Sequence, residues 1–187
     1  KVSIGAHPSF KDRENFGRKR LSLPNIEIIK LITDQINILT EIATSKKIPV
    51  THVKPHGALN NMACEDYDLA IIIAQSIIEI NKDLIFLVPT GSEMERAGNK
   101  LGMKVAVEIF ADRNYEDNGN LISRSKQNAM ITDPKIAEDH VIKMVKNQAL
   151  NCYSGKQIPC KIDSICVHGD GQSAVKTAKQ IKEGLIK

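Results

Sequence analysis

The sequence contains few aromatic residues, and this scarcity argues against several functions. Aromatic residues make up 4% of the 187 residues, and Trp is absent. This composition argues against nucleic-acid proteins that stack bases on aromatic side chains. The net charge is only +4, and Lys and Arg are spread along the chain, so neither a nucleic-acid nor a membrane surface is predicted. No apolar run is long enough to cross a bilayer.

Sequence motifs for zinc modules, secretion and nucleotide binding are also missing. No secretory signal opens the chain. The four cysteines form no CxxC pair, so we expect reduced thiols in a cytoplasmic protein. Cys166 lies in an apolar segment and is expected in the core. The absence of GxxxxGK[ST] excludes a P-loop, and no Gly-rich fingerprint supports a Rossmann fold. Three glycines after strand ends are either phosphate-binding or simple turn residues, namely Gly57, Gly91 and Gly169.

Short apolar strands alternate with longer helical segments. Strands are predicted over 2–6, 50–54, 84–88, 104–110 and 162–167, and helices over 24–45, 65–81, 92–101, 134–147 and 173–186. The segment 119–133 is predicted to be a polar excursion with at most one short strand. This alternation indicates an α/β fold of parallel βαβ units. We expect a β/α barrel, as a single domain over residues 1–187, that is incomplete at the N-terminus because the chain opens inside a strand without an initiator Met.

Polar and ionisable residues follow the predicted strands. Because the carboxyl ends of parallel strands lie on one face, where β/α barrels carry their active sites, we expect these residues to form a site. Three of the five histidines occur there, which favours catalysis or metal binding over a structural role for all of them. The residues in question are His7, Lys54, His56, Glu108, Asp112, Arg113, His168 and Asp170. His140 is predicted to be structural on a helix surface, and His52 to point either into the barrel or into the core.

The charged residues in this group allow both structural and functional interpretations. Lys54 either pairs with Glu108 or Asp112, or binds a substrate carboxylate. Asp112 and Arg113 are compatible with a plain salt bridge in a loop. Glu108 is the hardest to explain structurally, because a charge within an apolar strand needs a partner.

Several motifs together resemble the LamB/YcsF-like family. They are Ile4-Gly-Ala-His-Pro-Ser-Phe10, Asp12 with Phe16-Gly-Arg18, His52-Val-Lys-Pro-His-Gly-Ala-Leu59, Glu108-Ile-Phe-Ala-Asp-Arg-Asn-Tyr115 and Cys166-Val-His-Gly-Asp170. The combination of HVKPHGAL with FADRxY is far more specific than either motif alone. The resemblance runs from Val2 to about Leu185.

The resemblance implies a fold similar to the seven-stranded barrels of glycoside hydrolases and deacetylases. It also implies the A subunit of ATP-dependent 5-oxoprolinase, an ATP-hydrolysing amidohydrolase that opens a cyclic amide to L-glutamate with partner subunits B and C, and it leaves a homo-oligomer open. On this basis the expected catalytic residues are His56, His168, Glu108 and Asp112. Lys54, Arg113 and His7 are expected to bind substrate, and His7, His56 and Asp170 a divalent metal ion.

The sequence departs from the family pattern at several points. Members usually begin with a DLNCDxGE-like strand and a CGFHAGD-like loop, and neither is present, so we expect that the chain lacks the family's N-terminal segment. Asn60 stands where Tyr is usual, and Asn128 where Gly is usual. Two other functions stay open. One is a metal-dependent carbohydrate deacetylase, and the other is a catalytically incomplete fragment that binds partners.

Overall fold

The computed structural model describes residues 2–186. The chain divides into two compact units, Lys1–Ala106 and Val107–Lys187. The first unit contains β1 (Ile4–Ala6), α1 (Asn25–Ser45), β2 (Val50–Val53), α2 (Gly57–Glu65), α3 (Tyr67–Ile80), β3 (Ile85–Pro89) and α4 (Glu93–Lys100). Strand β4 (Val105–Phe110) begins in the first unit and ends in the second. The second unit continues with α5 (Pro134–Asn147), β5 (Ala149–Asn151), β6 (Gln157–Pro159), β7 (Ser164–Cys166) and α6 (Ala174–Ile186).

Five strands form a sheet in the order β1-β2-β3-β4-β7. The pairs β1–β2, β2–β3 and β4–β7 are parallel, with Gly5 opposite His52 and Glu108 opposite Ser164. Strands β5 and β6 form a separate antiparallel pair. The predicted α/β class with a parallel sheet is confirmed, whereas the extent of the barrel domain stays a prediction. No helix of residues 2–186 is both long and apolar enough to cross a membrane.

The core of the first unit lies between the parallel strands and the helices. Helix α1 follows Pro24, as predicted, and buries Ile28, Leu31, Ile32, Ile36 and Ala43 along one side, which faces α3 and the strands β1 and β2. Phe86 in β3 and Ile73 and Ile77 in α3 are fully buried. Burial of each such side chain contributes about 1.5–3 kcal/mol relative to exposure.

The helix predicted over 65–81 is confirmed, but a second helix just before it was not predicted. The structure has α3 over Tyr67–Ile80 and a further helix, α2, over Gly57–Glu65. Asp66 separates the two, because its extended backbone ends α2 and its carboxylate accepts a hydrogen bond from the Leu69 N–H at 3.1 Å. The start of α2 has no side-chain cap, so the sequence carries no ordinary start signal there.

The second unit has a core around Tyr115. Ile109, Phe110, Met144, Leu150 and Cys152 are buried with it. Cys166, predicted to lie in the core, is half-buried and packs against this cluster. The strands β5 and β6 were not predicted. Each has only three residues, and a segment of that length carries almost no periodicity.

Candidate functional site

In the first unit, two histidines meet just beyond neighbouring strand ends. Strands β1 and β2 continue side by side, since the Lys54 N–H donates to Ala6 O and the His56 N–H to Pro8 O, both at 2.9 Å. This places His7 Nε2 3.0 Å from His56 Nδ1, with the rings edge-to-face and their centroids 4.7 Å apart. The structure therefore brings together two of the predicted site residues.

Hydrogen bonds to backbone carbonyls determine where the protons of this pair lie. His7 Nδ1 is 2.6 Å from Lys54 O, and His56 Nε2 is 2.8 Å from Phe16 O. A carbonyl oxygen only accepts, so both of these ring nitrogens carry hydrogen. In the neutral rings, the lone pairs of His7 Nε2 and His56 Nδ1 are then left directed toward a common point. Such a pair of nitrogens suits a shared proton or a cation.

The carbonyl that binds His56 belongs to residues 12–19, which we call the Asp12–Lys19 turn. Asp12 organises this turn through Asn15 Nδ2 at 2.7 Å, the Lys19 N–H at 3.2 Å and its own carbonyl, which accepts from the Gly17 N–H at 2.7 Å. The hydrogen bond from Asn15 is the main cause that lowers the pKa of the Asp12 carboxyl. The Phe16 ring lies edge-on to His56, with centroids 5.4 Å apart.

His52 lies in β2, and Lys54 directly follows this strand. The His52 ring covers Gly5 so closely that a Cβ atom at residue 5 would lie 2.1 Å from His52 Nε2. Burial, and secondarily the charge of Lys54, lower the pKa of His52. His52 is therefore kept neutral beside β1. The predicted role of Lys54 in binding a substrate carboxylate stays a prediction.

In the second unit, Asp112 and His168 form a close pair after β4 and β7. The Ala111 N–H donates to Cys166 O at 2.9 Å and extends the pairing of these strands. His168 Nδ1 then lies 2.8 and 2.9 Å from the two oxygens of Asp112, and the His168 N–H donates to Oδ2 at 3.3 Å. The Phe110 ring stacks on the imidazole, with centroids 5.8 Å apart. Because the carboxylate holds the proton on Nδ1, His168 presents its Nε2 lone pair outward.

Glu108 lies within β4, as predicted, and its side chain is buried there. It is 2% exposed. The nearby Tyr115 hydroxyl accepts a hydrogen bond from the Phe110 N–H at 2.7 Å. Burial raises the pKa of the Tyr115 phenol, and the charge of Glu108 raises it further. Tyr115 is therefore a neutral part of the core, and the catalytic role of Glu108 stays a prediction.

The contacts of Arg113 are those of a structural residue. Arg113 is 3% exposed, and it donates to Ala129 O at 3.2 Å and to Ile122 O at 2.5 Å. It thus holds the segment that follows β4 against the unit. Asn128, in this segment, has φ 63°, and this left-handed backbone explains why Gly suits the position. A substrate-binding role for Arg113 stays a prediction.

His140 was predicted to be a structural residue on a helix surface, and the helix is confirmed whereas the surface position is wrong. His140 lies in α5 but is half-buried, and its ring stacks on Tyr115 with centroids 6.2 Å apart. Burial lowers its pKa. The sequence signal that could have located it is its spacing from Ala137, Val141 and Met144, the buried residues of the same helix.

A metal ion and a nucleotide fit the described residues to different degrees. His7 Nε2 and His56 Nδ1 are suitable nitrogen ligands, although residues 2–186 contain no group of three His, Cys, Asp or Glu side chains close enough to hold a metal. The exposed Asp170 stays a predicted third ligand. Two backbone amides after β2 and β3 are already engaged within the chain, which leaves them unavailable to a phosphate. The Gly91 N–H donates to Glu95 Oε2 at 2.6 Å, and the Ala58 N–H donates to Gly17 O at 2.9 Å.

A histidine pair follows β1 and β2, and an Asp–His pair follows β4 and β7. With the parallel α/β fold, these pairs define a class of protein that carries acid–base groups at strand ends. The sequence profile of the LamB/YcsF family matches residues 1–187, and the chain belongs to this family. It is 47% identical over 184 residues to the A subunit of 5-oxoprolinase from Clostridium beijerinckii, covering 98% of this chain and 72% of that protein.

Two further comparisons agree with this assignment. The A subunit of 5-oxoprolinase from Staphylococcus carnosus is 39% identical over 186 residues, covering 100% of this chain and 74% of that protein. The crystal structure of the lactam utilization protein from Thermus thermophilus superposes with a TM-score of 0.89 at 32% identity, covering 99% of this chain and 74% of that one. The similarity therefore extends over sequence and fold alike.

Proposed function

We propose that this chain is the A subunit of an ATP-dependent 5-oxoprolinase that opens 5-oxoproline to L-glutamate together with subunits B and C. The names of its relatives support the substrate. The observation that carries the proposal within the chain is the Asp112–His168 pair, with Nδ1 2.8 Å from the carboxylate. This arrangement is that of an oriented general base, as required for the attack of water on an amide carbonyl.

The residues of the chain have separate tasks in this proposal. A lactam is unreactive at neutral pH, so its carbonyl must be activated before water attacks. His168 Nε2 takes a proton from the attacking water, and Asp112 stabilises the imidazolium that forms. Lys54 is the proposed partner of the substrate carboxylate, and Glu108 is the proposed buried acid of the site.

The His7–His56 pair supplies a second set of acid–base groups. One proton shared between His7 Nε2 and His56 Nδ1 makes this pair a proposed proton donor in the reaction. If a divalent ion bound here, His7 Nε2 and His56 Nδ1 would hold it, and it would supply Lewis-acid chemistry. We assign ATP to the assembled enzyme, since the Gly91 and Ala58 amides after β3 and β2 already donate within the chain.

The direct test measures glutamate formed from 5-oxoproline by the full chain with subunits B and C, with and without ATP. We expect glutamate only with ATP, and the His56→Ala variant is expected to lose it while remaining folded. Near-normal turnover by that variant would refute the assigned role of His56. Release of acetate from an acetylated sugar, dependent on metal but not on ATP, would instead favour a deacetylase. Failure to bind 5-oxoproline by a folded protein would favour a partner-binding role.

A further inference from the structure

The Asp12–Lys19 turn contains two consecutive residues with left-handed backbone. Phe16 has φ 57° and Gly17 has φ 68°. For Phe this conformation costs about 1–2 kcal/mol, because Cβ approaches a backbone carbonyl. Such strain persists where the surrounding structure enforces it. Phe16 is moreover 60% exposed, so burial of its ring does not explain why the strain is retained.

Contacts on both sides of the strained residues enforce their conformation. Within the turn, the Asp12 carbonyl accepts from the Gly17 N–H at 2.7 Å. Outside it, the Gly17 carbonyl accepts from the Ala58 N–H in the first turn of α2 at 2.9 Å. The approach to α2 is so close that a Cβ atom on Gly57 would lie 2.4 Å from Gly17 O. A glycine at residue 57 is therefore needed for the turn to dock.

The strained backbone directs the carbonyl of Phe16 to the His56 ring. The distance from this oxygen to His56 Nε2 is 2.8 Å, and the edge-on contact of the Phe16 ring supports the same orientation. The Arg18 guanidinium lies 5.0 Å from the centroid of the Phe16 ring and adds a cation–π contact. These contacts restrain the imidazole through its Nε2 side.

We propose that the Asp12–Lys19 turn is a positioning element that keeps the proton of His56 on Nε2 and thereby keeps the Nδ1 lone pair directed at His7. The inference rests on the proposed function only in taking His56 as an acid–base group. Phe16 acts through its backbone carbonyl and is a positioning residue. In a serine protease, holding the catalytic histidine in the wrong tautomer lowers kcat on the order of 10⁴-fold. Control of the His56 tautomer by this turn is therefore expected to affect activity strongly.

The test reads the His56 tautomer directly by ¹⁵N NMR of the imidazole rings, at about pH 8, where an ordinary histidine is neutral. The unmodified protein is expected to carry hydrogen on His56 Nε2. The Gly57→Ala variant, which displaces the Gly17 carbonyl, is expected to lose this preference. The matched control is Gly91→Ala, since Gly91 has a similar φ of +73° with nothing within 4 Å of an added Cβ, and it should keep the tautomer.

A second variant guards against misfolding of the first. In Gly17→Ala, the added Cβ would lie 3.0 Å from Ser9 Oγ and 3.2 Å from His56 Cδ2, so it disturbs the same turn from the other side. Absence of hydrogen on His56 Nε2 in the unmodified protein, or an unchanged tautomer in both folded variants, would overturn the inference. If a variant loses the Nε2–H tautomer of His56 but still forms glutamate at an undiminished rate, the positioning role of the turn is upheld. That result would contradict the function proposed for His56.

Discussion

At the scale of single residues, Asp112 determines what His168 can do. The carboxylate accepts from Nδ1 at 2.8 Å and from the His168 N–H at 3.3 Å, so it fixes both the tautomer and the ring orientation. The amide of Asp112→Asn can donate to Nδ1 and would favour the opposite tautomer. We expect kcat for glutamate formation to fall by up to about 10⁴-fold, while KM changes little.

The control for this variant is Asp139→Asn, which removes a carboxylate at an exposed ion pair with Lys135. Exposed pairs of this kind contribute about 0–1 kcal/mol, so activity and stability should stay near those of the unmodified protein. Steady-state kinetics of the assembled enzyme checks both variants. A fall in kcat of less than about 10-fold for Asp112→Asn would contradict the role of Asp112 in orienting a general base.

The half-buried His140 should make stability depend on pH. Its pKa is lowered by burial, so between the ordinary value of about 6.5 and the lower folded value, the unfolded chain binds a proton that the folded chain does not. Its contribution is therefore unchanged above about pH 6.5 and destabilising as the pH falls below it. Burial lowers the pKa of His52 in the same direction.

We expect the urea concentration at the midpoint of unfolding to decrease as the pH is lowered from about 7.5 to about 5.5. The decrease should be smaller in His140→Gln, because glutamine has no proton to gain. An identical pH dependence in the unmodified protein and in His140→Gln would show that this side chain is not responsible.

At the scale of secondary structure, the start of α5 depends on one carboxylate. Asp133 accepts hydrogen bonds from the Lys135 N–H at 2.8 Å and the Ile136 N–H at 3.0 Å, and Pro134 follows in the first turn. Asp133→Ala leaves these donors without the cap, and we expect a loss of about 1 kcal/mol in the free energy of unfolding.

Asp139→Ala in the same helix is the control for the cap, because its exposed carboxylate forms a surface ion pair with Lys135 rather than a bond to the backbone at the helix start. Chemical denaturation with a shared slope for both variants gives the comparison. Equal stability of Asp133→Ala and Asp139→Ala would show that the cap does not determine the start of α5.

Elements with local start signals were predictable from the sequence, and those without were not. The Pro134 start of α5 and the Ser92 cap of α4 agree with the prediction, because the capping side chain is adjacent in sequence. Helix α2 was missed because what holds its start is distant in sequence, namely Gly17 O, which accepts from the Ala58 N–H. Long-range contacts of this kind leave no local pattern.

The candidate site shows the same division between local and distant information. That His7, His56 and His168 follow strands could be predicted, since alternating strands and helices place strand ends on one side. The pairing of His168 with Asp112, 56 residues apart, required the structure. The carbonyl of Phe16 that restrains His56 could not be predicted, because a backbone group carries no sequence signal.

At the scale of the whole molecule, the proposal requires this chain to bind substrate. A ligand that binds only the folded protein stabilises it by mass action, by about 2.7 kcal/mol at 100 times Kd. For a chain of this size, that corresponds to a rise in Tm of about 5–10 °C. We expect 5-oxoproline to raise the Tm of the chain in the absence of subunits B and C.

L-proline is the comparison ligand, since it keeps the ring and the carboxylate but has a protonated amine in place of the lactam amide. A site built around an activated amide should bind it more weakly, because polar groups meant for the carbonyl are left unpaired. Equal stabilisation by both ligands would indicate recognition of the carboxylate alone, as proposed for Lys54. A rise in Tm seen only with the partner subunits present would place the substrate site in the assembly and contradict its assignment to this chain.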